Sequence, residues 1–269
     1  MSETRVVSTR RSLARALLSN TNRSVELLKC VRLTPDWFKW IRSYVFGREV
    51  EFPTVFRTRL GDSVELLDWS ELTTVWRVFL ANEYRIAHSV KTLLDVGANI
   101  GAFSVFAARQ LPKAQIVAVE PFPNTYARLA QTIERNRLNS RVRCVQAAVT
   151  NCTGEVLFDA ALDSHSYARR IVDASSEQAI RVPALILGDL LEQAGWSEVD
   201  YLKMDIEGGE YLALGAIPES MLRRAKAIGL EYHDSSKFTA LSQTLTLAGF
   251  DRIRLRTEGW SGLAEFRRT

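Results

Sequence analysis

Lys91–Arg109 reads KTLLDVGANIGAFSVFAAR, and the fold follows from how this stretch is parsed. Thr92 to Val96 has the character of a buried parallel strand, Gly97 to Gly101 is a tight glycine turn, and Phe103, Val105 and Phe106 give the next segment the apolar positions of a helix facing a sheet. The turn joins strand to helix directly. Glycine lets a ligand approach the backbone without a Cβ in the way, and a helix N-terminus presents unsatisfied N–H groups and positive partial charge. The stretch therefore predicts a binding site for an anionic or carboxylate-bearing ligand.

A dinucleotide site requires G-x-G-x-x-G, and here the middle glycine is missing from Gly97-Ala98-Asn99-Ile100-Gly101-Ala102. Asp95-x-Gly97-x-Asn99-x-Gly101 resembles instead the first motif of class I S-adenosylmethionine methyltransferases. That resemblance implies that Gly97, Asn99 and Gly101 lie against the methionyl part of the cofactor, and that Asp95 orients its amino group or the loop. Gln115 to Val119 is a second apolar strand. Glu120 follows it, about 25 residues past Asp95, where an acidic side chain accepts hydrogen bonds from two ribose hydroxyls. The spacing fits a nucleoside ligand without identifying it.

Three further motifs narrow the resemblance. Glu120-Pro121-Phe122-Pro123-Asn124 before a helix, Lys203-Met204-Asp205-Ile206-Glu207-Gly208-Gly209-Glu210 after a strand, and Gly229-Leu230-Glu231-Tyr232-His233 are together similar to the FkbM family of methyltransferases, over about residues 60–240. The family implies an α/β fold of the class I SAM-methyltransferase type, a doubly wound seven-stranded sheet ending in an antiparallel hairpin. It implies S-adenosylmethionine as cofactor, with Pro121 beside Glu120 and with Ala147 and Ala148 next to the adenine, where small residues leave space for the ring. Tyr84 falls in the segment that closes over the cofactor in this family, and is either a cofactor contact or a packing residue.

With 269 residues, 46% of them hydrophobic, the chain can bury one substantial core near the upper size for a single domain. The expected division is a basic, helical and aromatic N-terminal extension over residues 1–55 and a methyltransferase domain over residues 56–269. No apolar run approaches the ~18 residues of a membrane span, and the N-terminus lacks the apolar core of a secretory signal, so a cytoplasmic location is expected. Cys30, Cys144 and Cys152 are odd in number and lack metal spacing, and read as free thiols.

Residues 1–48 hold ten Lys and Arg against three Asp and Glu, a balance of +7 within a net charge of +4. The basic character therefore belongs to the extension. It suits a solvated helix face or a weak contact with an anionic surface. Residues 2–15, rich in Ser and Arg, also permit an organelle-targeting reading.

Leu13, Ala16, Leu17 and Leu28 recur at helical spacing, interrupted by Ser19-Asn20-Thr21-Asn22, which predicts two short helices. Trp37, Phe38, Trp40, Tyr44 and Phe46 form an aromatic-dense piece expected to dock the extension, with a substrate lid or a homodimer contact as alternatives. Gly61-Asp62 marks a small hairpin. Val156 to Phe158 and Ile180 to Leu187 read as additional or edge strands around a polar insertion, Asp163 to Arg170, that suits substrate selection.

Asp200 to Met204 is a strand that delivers Asp205 to the carboxyl edge of the sheet, where doubly wound folds bind ligands. Asp205 is accordingly a candidate for both cofactor binding and catalysis. Lys226 to Glu231 is the next strand, and in the strand order usual for this fold it brings His233 toward the transferable methyl group. His233, Asp205 and Glu207 are the catalytic candidates, with His233 or Asp205 as general base. Glu210 reads as a helix-capping residue. Asp205, Glu207, Glu231 and His233 holding a divalent ion such as Mg²⁺ is the less favoured alternative, since the sequence shows no specific ligand pattern.

The family resemblance implies O-methylation of a hydroxyl on a sugar, glycolipid or natural product, so the expected partner is a small-molecule or glycan substrate. Asp205-Ile206-Glu207-Gly208 stands where amine-directed enzymes often carry an Asn/Asp-Pro-Pro-aromatic tetrapeptide, which disfavours amine or base methylation. The alternatives are methylation of protein or RNA, suggested by the basic N-terminus although nucleic acid is disfavoured, and a non-catalytic partner in a biosynthetic complex.

Overall fold

The computed structural model of the chain describes residues 21–47, 50–159, 171–172 and 179–269. The earlier of the two expected N-terminal helices and the polar insertion Asp163 to Arg170 lie outside these residues. The chain divides into two compact units, Met1–Arg85 and Ile86–Thr269, so the expected boundary at residue 55 falls within the first unit.

In the first unit, helices α1 (Thr21–Leu33) and α2 (Trp37–Phe46) precede an antiparallel hairpin of β1 (Thr54–Arg57) and β2 (Ser63–Leu66). Gly61 in its connection has φ +93, a backbone that side-chain-bearing residues rarely adopt. Asp68 caps α3 (Trp69–Val75) by accepting hydrogen bonds from the Ser70 and Glu71 N–H groups, and the chain continues as a π-helical turn, Trp76–Leu80. Two members of the aromatic-dense segment, Trp40 and Tyr44, pack against residues of their own unit. Tyr44 stacks on Trp76 at 4.1 Å, and fully buried Trp40 meets Phe56 at 5.6 Å.

The second unit carries β3 (Thr92–Val96), β4 (Gln115–Val119), β5 (Val142–Val145), β6 (Ala148–Val149), β7 (Gly154–Asp159), β8 (Ile171–Val172) and β9 (Ala179–Leu185). These are followed by β10 (Tyr201–Met204), β11 (Ala227–Tyr232), β12 (Phe250–Glu258) and β13 (Ser261–Arg268). Its helices are α4 (Ala102–Gln110), α5 (Pro123–Arg135), α6 (Leu187–Ala194), α7 (Glu210–Gly215), α8 (Glu219–Leu222) and α9 (Ser235–Leu247). Seven strands form one sheet in the order β12-β13-β11-β10-β3-β4-β5. The five from β11 to β5 run parallel, and β13 is antiparallel to both β11 and β12. This is the doubly wound sheet with a terminal antiparallel hairpin that the sequence predicts.

Parallel strands buried on both faces need continuous apolar residues, and β3 and β10 supply them apart from Thr92, Asp95 and Lys203. Strands β6-β9-β7-β8 form a separate four-stranded sheet rather than extending the edge of the main one. Their pattern explains this: in β9, exposed Arg181 and Pro183 alternate with buried Val182 and Ala184, which suits a sheet with one wet face. Among the described residues no helix is long and apolar enough to cross a membrane.

The chain leaves β3 for β4 on one side, while β10 lies on the other, so the winding direction reverses between β3 and β10. The carboxyl ends of those strands flank the crevice where open α/β sheets bind ligands. The glycine turn follows β3, and Asp205 follows β10.

Candidate functional site

Gly97, Asn99 and Gly101 all have positive φ, at +75, +50 and +87. The turn is anchored by the N–H groups of Gly97 and Ala98, which donate to the Val119 carbonyl at 3.0 and 2.9 Å. A Cβ on Gly97 would stand 1.8 Å from the Asp205 carbonyl oxygen, and one on Gly101 2.9 Å from Leu129 Cδ1. Glycine at 97 thus serves contact between turn and strand end as well as backbone conformation.

Glu120, just past β4, is buried, and each of its oxygens accepts a backbone N–H: Oε2 from Asn99 at 3.0 Å and Oε1 from Phe122 at 3.3 Å. Each carboxylate oxygen has a further lone pair, enough to receive two hydroxyls of a ribose. Burial pushes its pKa up to about 7, against the lowering effect of those two N–H groups and Lys203. Asp95 is fully buried. Its Oδ2 accepts from Ser104 Oγ at 2.6 Å, and its Oδ1 lies 3.3 Å from Lys203 Nζ. Of the two roles open to Asp95, these contacts match support of the loop. Ala147 and Ala148 are buried at the end of β5 and the start of β6. Tyr84 is buried in the first unit, whereas all the other candidates belong to the second.

Beyond β10 and β11 a second group converges. The His233 ring is bracketed by carboxylates: Nε2 lies 3.3 Å from Glu207 Oε2 and 3.8 Å from Asp205 Oδ1, and Nδ1 lies 3.2 Å from Glu210 Oε1. Fully buried Glu210 also accepts the Ile206 N–H at 2.9 Å. Nε2 is the nitrogen that faces Asp205 and Glu207, and a proton on Nδ1 is placed to donate to Glu210. Burial pulls the His233 pKa down, but the hydrogen bond to Glu210 and the charges of Asp205 and Glu207 outweigh it and raise it to about 9. Burial, then Asp205, push Glu207 up to about 8 although His233 opposes them. Glu207 reaches this position through a left-handed backbone, φ +55.

The structure brings His233, Asp205 and Glu207 together, as the strand order requires. It adds two residues to which the sequence reading assigns no such part. Glu210 orients the histidine as well as closing the turn before α7, and Lys203 lies between the two halves of the site. The signal for Lys203 is a single charge inside an otherwise apolar strand. Asp205, buried Glu231 and His233 each place a ligand atom within 4.8 Å of the others, a spacing that could hold a metal ion.

Comparison with known proteins agrees with this geometry. Residues 95–254 match the methyltransferase FkbM domain model. Methyltransferase sdnD of Sordaria araneosa is 26% identical over 215 residues, covering 67% of this chain and 82% of that protein. The 31-O-demethyl-FK506 methyltransferase FkbM of Streptomyces tacrolimicus is 25% identical over 240 residues, covering 76% of this chain and 88% of that protein. Among solved structures, a methyltransferase FkbM from Methylobacillus flagellatus shares the fold at a TM-score of 0.52 and 16% identity, over 91% of this chain and 58% of that one. The chain belongs to the FkbM methyltransferase family, on the class I SAM-methyltransferase fold.

Proposed function

We propose that this chain is an S-adenosylmethionine-dependent O-methyltransferase acting on a hydroxyl of a sugar, glycolipid or natural product. One observation carries the reading: the glycine turn packs on the Asp205 carbonyl, and the Asp205 carboxylate stands 3.8 Å from His233, so a nucleoside pocket and a proton acceptor share one edge. The relative from Streptomyces tacrolimicus is named for a 31-O-demethyl substrate, which favours an oxygen acceptor.

S-adenosylmethionine, when bound, supplies an electrophilic methyl carbon on a sulfonium. Gly97, Asn99 and Gly101 would receive its aminoacyl part, Glu120 would accept from the ribose hydroxyls, and Pro121, Ala147 and Ala148 would border the adenine. Methyl transfer to the acceptor oxygen would leave the C–S electron pair on sulfur and would release the hydroxyl proton. Nε2 of His233 takes that proton, while Glu210 holds the ring and Asp205 and Glu207 stabilise the resulting imidazolium. His233 is a base only when neutral, so with its pKa near 9 the transfer rate climbs as pH rises toward that value.

Calorimetric titration with S-adenosylhomocysteine tests the reading. Micromolar binding that is lost in Glu120→Ala supports it, and hydroxylated glycans and natural products are then screened for methyl transfer, with His233→Ala as the inactive control. A well-folded protein that binds nothing overturns it and favours a non-catalytic partner. Methylation of RNA or protein alone overturns the acceptor class.

The grouping of Asp205, Glu231 and His233 favours a second reading in which a divalent ion, rather than the histidine, activates the hydroxyl. Titration with Mn²⁺, followed by loss of the free-ion paramagnetic resonance signal, separates the two. Saturable uptake abolished by Asp205→Asn supports the ion, and no uptake rejects it.

A further inference from the structure

Lys203 is only 3% exposed, inside β10 between Leu202 and Met204. Taking an ammonium out of water is costly unless its partners are well placed, and an apolar side chain of similar volume would fill the space without that cost. The partners of Lys203 include several groups of the site. Nζ donates to the Gly97 carbonyl at 2.8 Å and the Val96 carbonyl at 3.5 Å, and lies 3.3 Å from Asp95 Oδ1 and 3.7 Å from Asp205 Oδ2.

The backbone sets up this meeting. Lys203 pairs in register with Asp95 across β3 and β10, and the Asp205 N–H donates to the Val96 carbonyl at 3.1 Å. Because side chains alternate along a strand, Lys203 and Asp205 leave it on one side. The ammonium therefore rises beneath the glycine turn at the point where Gly97 touches Asp205.

We propose that Lys203 is a positioning residue for methyl transfer, its ammonium pinning the Gly97 carbonyl and the Asp95 and Asp205 carboxylates to a common point so that cofactor affinity depends on a cation at position 203. This rests on the cofactor reading above. Without the cation, the Asp95 and Asp205 carboxylates lose the ammonium that stands between them, and the Gly97 carbonyl loses the donor that holds it inward. The charged groups acting on Glu120 across this crevice are Lys203 and Asp95, so removing Lys203 also makes Glu120 harder to ionise.

The test is calorimetric titration with S-adenosylhomocysteine between pH 5.5 and 9, roughly the range that brackets the Glu120 titration, on Lys203→Met, Lys203→Arg, Asp95→Asn and Asp95→Asn/Lys203→Met. Lys203→Met should weaken binding by about tenfold or more and move the pH at which affinity falls upward by about half a unit. Lys203→Arg, which keeps the charge, should recover affinity to within about threefold and leave that pH unmoved. If Lys203→Met does not fold, the double variant replaces it, because it leaves no unpaired buried charge. It should unfold at a denaturant concentration near that of Asp95→Asn and still bind about tenfold more weakly than Asp95→Asn. A double variant that binds within about twofold of Asp95→Asn would reduce Lys203 to a structural counter-ion. If the unaltered chain itself fails to bind, the cofactor reading falls first, and this proposal with it.

Discussion

The two halves of the crevice are built on opposite principles. On the cofactor side, beyond β3 and β4, every functional group is already engaged: Glu120 by two backbone donors, Asp95 by Ser104 and Lys203, and the turn by Val119. On the acceptor side, beyond β10 and β11, Asp205, Glu207 and Glu210 converge on a single imidazole. The side chains of Asp205 and Glu207 are 27% exposed there. On the proposed reading, the first side is shaped in advance for a ligand. The other gathers three carboxyl groups around one imidazole, and against the effect of burial they raise its pKa to about 9.

Glycine substitutions should break this contrast most sharply. Gly97 and Gly208 both have positive φ, +75 and +100, but a Cβ would strike the Asp205 carbonyl at 97 and would meet nothing within 4 Å at 208. Gly97→Ala should lose about 3 kcal/mol or more of stability and all binding of S-adenosylhomocysteine, whereas Gly208→Ala should lose about 1 kcal/mol and retain binding. Denaturant unfolding with calorimetry checks both. Equal losses would mean that the turn does not pack on the strand end.

Glu120→Ala should come next, weakening S-adenosylhomocysteine by about 100-fold, the scale of two hydrogen bonds to a charged acceptor. Its pKa is raised from 4.5 to about 7, so the carboxylate protonates as pH falls through 7 and affinity should decline there rather than near 4.5. Affinity constant from pH 9 to pH 5, about two units to either side of that value, would show that the ionised form is not what binds the ribose.

The cofactor side was the more legible of the two in the sequence, for a physical reason. Gly97, Asn99, Gly101 and Glu120 act through backbone geometry and strand ends, which leave local marks: positive-φ residues at fixed spacing and an acid where an apolar run stops. His233, Asp205 and Glu207 were reachable because strand order brings two loop tips together. Glu210 and Lys203 were not, because their roles depend on contacts across elements. Nothing near Glu210 in the chain signals a histidine 23 residues later, and alternation along β10 shows which side Lys203 leaves on but not that Asp95 and Gly97 await it. Additional or edge strands is as far as the sequence reaches for the four-stranded sheet, because alternation reveals a one-sided strand without naming its partner.

A smaller effect tests the acceptor side through folding. His233 has a folded pKa of about 9 against an ordinary 6.5, so the stability it gains from the carboxylates is fully present below pH 6.5 and is lost as pH rises through 9. His233→Ala should therefore cost about 1–2 kcal/mol more at pH 6 than at pH 10, by denaturant unfolding at the two values. A cost independent of pH would mean that packing alone keeps the ring in place.

The smallest effect separates the contributions within that cluster. Glu210→Gln keeps the shape of the side chain and an oxygen to accept from Nδ1 and from the Ile206 N–H, and removes only the charge. The hydrogen bond to Glu210 leads the influences that raise His233, ahead of the charges of Asp205 and Glu207. The variant should lower the His233 pKa by about one unit, read from the imidazole resonances across a pH titration. The rate of methyl transfer would then reach its plateau at a lower pH, because more of the histidine is neutral at any pH in the rising limb. An unmoved titration would assign the proton to Asp205 and Glu207 alone and leave Glu210 as a cap for the turn before α7. A shift with the expected sign makes Glu210 the residue that sets how basic the acceptor side is, in a cluster whose counterpart across the crevice is held by backbone donors and still has lone pairs for a ligand.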